Sequence, residues 1–129
     1  MKAIVLSNGE LEVKEIKNTL EELQGIVGGY IEMPYISKVF LENEIDMVIN
    51  EEGKYIEGLK PEIAVISKEG NVVLDLVMGS CVFVSHDDAG NTVDLNDKQI
   101  EIVMEELKLQ TELYNPKEET SFITRALFV

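Results

Sequence analysis

The 129-residue sequence predicts an α+β domain, a curved and mostly antiparallel sheet with two helices packed on one face. Three observations predict it. Short runs rich in valine and isoleucine recur along the chain, bounded by Asn-Gly, Gly-Ser and proline punctuation. Two segments break that pattern with helical spacing, and each opens on a capping signature. Nothing in the chain reads as a linker, so residues 1–129 form a single predicted domain.

Lys2 to Leu6 is a short β-favouring run, and Ser7-Asn8-Gly9 turns it back into Leu11, Val13 and Ile16. Asn-Gly accepts the positive φ angles of a tight hairpin, so these two runs pair. From Asn18 the period changes, with Leu20, Leu23 and Val27 on one helical face and Glu21 completing a capping box with Asn18. Gly28 stands just past the last periodic residue, where a left-handed terminating residue is expected. Phosphate loops place their glycines before a helix, so that N-terminal amides face the anion. Gly28 and Gly29 follow theirs, which argues against a phosphate loop.

Tyr30 to Met33 forms the next strand, closed by Pro34, and Ile45 to Ile49 another. Asn50-Glu51-Glu52-Gly53 reads as a hairpin turn into Lys54, Tyr55 and Ile56, while Glu62 to Ser67 fits helix or strand equally. Val72 to Met78 and Cys81 to Val84 are strong β runs split at Gly79-Ser80, and Asp87 to Asn91 is a loop. Asn96 with Gln99 starts the second helix, which turns Ile100, Val103, Met104 and Leu107 inward and ends at Asn115-Pro116. Ser121 to Val129 closes the chain as a strand.

Charge bounds the function. The chain carries 25 acidic residues against 11 basic ones, a formal net charge of -14. Such a field repels phosphate backbones, which excludes ordinary direct nucleic-acid binding. The acids are scattered rather than blocked, so they are read as a solvated surface or, more sharply, as a DNA mimic. No apolar run approaches the roughly 20 residues of a membrane span, and the N-terminus reads as a strand rather than a signal peptide. Cys81 is the sole cysteine and fits a cytoplasmic setting.

The stretches "LQGIVGGYIE" and "NEEGK", within a region spanning residues 1–107, resemble domain-of-unknown-function family 3846, short proteins of phages and mobile elements. Residues 108–129 lie outside the resemblance and read as an extension with a helix end and a strand. The resemblance implies no activity and carries over no catalytic residue. It implies a small cytosolic accessory protein, with a role against host defence as the expectation.

The residues themselves suggest no catalytic group, metal or cofactor. His86-Asp87-Asp88 is the one place where a base sits beside carboxylates, and it reads as a turn. Cys81, in an apolar strand, reads as a small core residue. Arg125, the sole arginine, offers a fork suited to phosphate or carboxylate, and Tyr30 and Tyr35 offer stacking faces. With Asn50 and Lys54 they form the candidate ligand-binding set. The leading expectation is therefore a non-enzymatic protein that sequesters a small anionic, nucleotide-derived signal. The alternative is an acidic inhibitor of a host protein, such as a restriction or other DNA-binding enzyme. A homo-oligomer is expected, with Ala126-Leu127-Phe128-Val129 as its interface strand.

Overall fold

Asn8 and Gly9 occupy adjacent positive-φ positions, 52° and 81°, in the computed structural model, which describes residues 1–129. The chain therefore reverses at once between β1 (Lys2–Ser7) and β2 (Glu10–Glu15), as expected of Asn-Gly. Helix α1 (Leu20–Val27) follows, but its cap is Thr19 rather than Asn18: the Thr19 hydroxyl accepts the Glu22 N–H at 3.2 Å. Asn18 instead donates to Thr92 O at 2.9 Å. The one-residue shift leaves Leu20 exposed at the first helical position while Leu23 and Val27 are buried. Gly28 ends the helix with φ 86° and donates its N–H to Gln24 O, the terminating role its position predicts.

After β3 (Ile31–Glu32) comes a short helix that the sequence pattern did not reveal, α2 (Lys38–Glu42), capped by the Ser37 hydroxyl. Then follow β4 (Ile45–Asn50), β5 (Pro61–Ile66), β6 (Val73–Met78), β7 (Cys81–His86) and β8 (Thr92–Val93). Helix α3 (Asp97–Glu106) has the predicted Asn96–Gln99 capping box, and β9 (Gln110–Asn115) and β10 (Thr120–Phe128) complete the chain. No helix is long and apolar enough to cross a membrane.

The α+β class and the mostly antiparallel pairing hold. The strands divide, however, into two sheets rather than one. The first runs β2-β1-β7-β4-β3, with β8 on β7, and the second runs β6-β5-β10-β9. Only β5 and β10 are parallel. The chain changes sheet at Gly79-Ser80, which explains why two strong β runs adjacent in sequence do not pair.

Alternation along β1 separates two cores. Ala3 and Val5 face α1 with Val48, Val82 and Val84, burying Leu23 and Val27. Ile4 and Leu6 face the other way, into the larger core with Phe83, α3 residues Val103 and Leu107, and second-sheet residues Ile63, Val65 and Leu127. Thus α1 and α3 cover opposite faces of the first sheet, where one shared face was expected. Phe40 of α2 meets Phe83 edge-on, with ring centroids 5.7 Å apart.

Two further elements differ from expectation for visible reasons. The predicted hairpin turn at Asn50–Gly53 leads instead into a 3-10 turn at Gly53–Tyr55. There the Asn50 side chain takes the Glu52 N–H, and a Cβ on Gly53 would lie 2.8 Å from Met78 O. The second helix stops at Leu107, eight residues before the predicted end, and Gln110–Asn115 is strand. Arg125 Nη1 donates to Leu107 O at 2.8 Å, taking a carbonyl that a longer helix would use internally. Glu62 to Ser67, ambiguous in sequence, lies almost entirely in β5.

The expected interface strand is not free either. Arg125–Phe128 pair with β5, Thr120–Arg125 pair with β9, and Ala126 and Leu127 are buried. Residues 108–129 are thus half of the second sheet rather than an appendage.

Candidate functional site

β10 directs Arg125 toward the tip of the β1–β2 hairpin. Its Nε and Nη2 donate to Gly9 O at 3.0 and 2.8 Å, and Nη1 donates to Leu107 O at 2.8 Å. Three of the five guanidinium N–H groups are therefore committed to backbone carbonyls. The fork that the sequence offers to an anion thus spends most of its donors within the fold. Glu62, only 5 % exposed, reaches the same turn from β5, and its Oε2 accepts the Gly9 N–H at 2.9 Å.

Beside this clamp is a cleft of about 540 Å³, whose lining includes Asn8, Glu10, Lys60, Glu62, Gln110 and Arg125. Thr124 also lines it, and its hydroxyl oxygen is the chain's one enclosed side-chain polar atom with no hydrogen-bond partner.

The other predicted ligand residues lie elsewhere. Asn50, 5 % exposed, donates through Nδ2 to Val27 O at 3.1 Å and accepts the Glu52 N–H at 2.8 Å, tying the end of α1 to the end of β4. A Cβ on Gly29 would lie 3.0 Å from Asn50 Nδ2, so the second glycine of the pair makes room for this side chain. Lys54 is ion-paired with Asp75. Tyr30 and Tyr35 are 71 % and 65 % exposed. Tyr30 and Asn50 share one shallow cleft, Asn50 and Lys54 share another of about 220 Å³, and Tyr35 lines a third with Phe40 and Leu41. The five residues do not converge on one site.

His86 Nδ1 lies 2.9 Å from Asp46 Oδ2, so its partner is across the sheet rather than Asp87 or Asp88. Asp87 closes its own turn: the side chain and N–H of Asn91 and the N–H of Ala89 hold its carboxyl below the usual range. Cys81 is fully buried, and burial pushes its thiol well above the ordinary value, with the Glu62 charge adding to the effect.

The sequence reading passed over Glu62 and Thr124. The available signal was a single acid opening the otherwise apolar run PEIAVI.

The family model described as domain of unknown function (DUF3846) matches residues 1–108. The chain belongs to DUF3846. No curated protein and no solved structure matches it. The DUF3846 match ends where α3 gives way to β9, so Gly9 and Glu62 lie inside it while Thr124 and Arg125 lie beyond.

Proposed function

We propose that this DUF3846 protein is a non-enzymatic binding protein that engages a positively charged macromolecular surface, the partner being a nucleic-acid-binding protein. The observation that carries this reading is the uneven distribution of charge between the two sheets. Residues 60–80 and 107–129, which build the second sheet, hold five cations (Lys60, Lys68, Lys108, Lys117, Arg125) and six carboxylates (Glu62, Glu69, Asp75, Glu112, Glu118, Glu119), a formal -1. The remaining -13 lies on the rest of the chain: the first sheet, the helices and the loops between them. Exposed carboxylates there include Glu21 on α1 and Asp97, Glu101 and Glu105 on α3. These acids belong to the parts of the chain outside the second sheet, Glu21 on one face of the first sheet and the α3 acids on the other. An acidic field of this kind steers a basic groove, and the exposed α3 carboxylates are offered where phosphates would sit. An anti-defence role in the cytoplasm of a host, against a restriction or similar enzyme, belongs to the same proposal.

Sequestration of a small nucleotide-derived anion at Arg125 has weaker support. Two N–H groups of the guanidinium are uncommitted, but Glu10 and Glu62 line the same cleft. Competition decides between the two readings. The protein is titrated into purified DNA-binding enzymes carrying a fluorescent duplex, at about 50 and 200 mM salt. Displacement that weakens steeply with salt, and that is lost in Glu101→Lys/Glu105→Lys but kept in Glu118→Lys/Glu119→Lys, is expected. No displacement of any duplex, or displacement indifferent to the α3 reversal, would refute the proposal.

A further inference from the structure

Glu62 is a nearly buried carboxylate that the chain only half uses. Oε2 holds the Gly9 N–H, while Oε1 makes no hydrogen bond and is not among the enclosed polar atoms. It therefore opens to the cleft that Glu62 lines. A carboxylate withdrawn from bulk water is costly unless donors occupy its free acceptor positions. Thr124, 3 % exposed, lines the same cleft, but its hydroxyl is enclosed in the sheet and does not open to it.

The lining determines the class of molecule that would meet the need of Glu62. About 540 Å³ suits a small molecule, and the lining sets polar side chains beside apolar surface, so the occupant carries polar groups on an aliphatic stem. Glu10 adds a second carboxylate, and Arg125 is tied to the Gly9 and Leu107 carbonyls. Lys60 is exposed. The net charge of -14 also concentrates cations at the surface. We propose that the cleft between the β1–β2 turn and strands β5 and β10 binds a small polar molecule bearing a protonated amine. Its ammonium sits on the free oxygen of Glu62. This site is independent of the acidic surface proposed above.

Calorimetry on the full chain with putrescine, spermidine and lysine as probes, and AMP and inorganic phosphate as controls, tests it. At least one amine is expected to bind with a stoichiometry of one, while the anions do not. Glu62→Gln keeps an oxygen to accept the Gly9 N–H but removes the charge, and should weaken binding about tenfold or more. Glu10→Gln, removing the second carboxylate of the cleft, should weaken it less and provides the test if Glu62→Gln does not fold. Glu118→Gln, in the β9–β10 turn, should bind as wild type. The proposal fails if no amine binds, if AMP or phosphate binds better than the amines, or if amine affinity falls equally in Glu118→Gln. It also fails if every folded cleft variant binds as wild type.

Discussion

Glu62 and Arg125 grip one residue from both ends: Glu62 accepts the N–H of Gly9 at 2.9 Å, and Arg125 donates two N–H groups to its carbonyl at 3.0 and 2.8 Å. The pair locks the hairpin tip of the first sheet to β5 and β10 of the second. An arginine close to the end of a chain looks expendable in sequence, and its loss would be expected to spare the fold. Its place against β5 and at the end of α3 gives the opposite expectation. Arg125→Ala should destabilise by about 2–4 kcal/mol, since it strands two partly buried carbonyls that now receive charged donors. Urea denaturation of the variant, with a loss under about 0.5 kcal/mol, would show that the clamp contributes little.

Gly28 and Asn50 form a second joint. Gly28→Ala should cost about 1 kcal/mol, because alanine resists φ 86°. Asn50→Ala should cost more, about 2 kcal/mol, by leaving Val27 O and the Glu52 N–H without their partner. Tyr30→Ala, removing an exposed ring, should lie within about 0.5 kcal/mol of wild type. The order of the three melting temperatures is the check, and Asn50→Ala melting above Gly28→Ala would contradict it.

Cys81 should leave a signature in the pH dependence of stability. Its thiol is raised above the ordinary value of 9.0 by burial, so above that pH the unfolded chain loses a proton that the folded chain keeps. The contribution is complete below the ordinary value and declines as pH rises past it, by about 1.4 kcal/mol per pH unit. Cys81→Ala should flatten this slope in denaturation series from pH 8.5 to 10.5. Equal slopes in wild type and variant would show that the thiol titrates normally. The native thiol should also resist alkylation until denaturant is added.

Local physics accounts for what the sequence revealed. Asn8-Gly9, Gly28 and the Asn96–Gln99 box depend on neighbours a few residues away, and each adopts its expected conformation. The misreadings arise where a distant residue decides. Gln110–Asn115 is strand because Arg125 takes the Leu107 carbonyl and β10 lies alongside, and Asn50 turns inward because α1 ends beside it. The candidate site was legible only in part. Arg125 stood out as the sole arginine, but its carbonyl partners depend on a contact spanning nearly the whole chain. Glu62 and Thr124 became visible only through burial, which a single sequence does not display.

The parallel pairing of β5 with β10 also has a kinetic consequence. Ile63 meets Arg125, so this contact closes a loop spanning the second half of the chain, whereas β1–β2 and β9–β10 are neighbours joined by short turns. Hairpins of the latter kind form early, and non-local parallel pairs form late. Until β10 arrives, β5 presents an unpaired and largely apolar edge, Ile63 to Ile66, to whatever is nearby. Refolding yield should therefore fall with protein concentration, with the second sheet as the segment through which folding chains stick to one another.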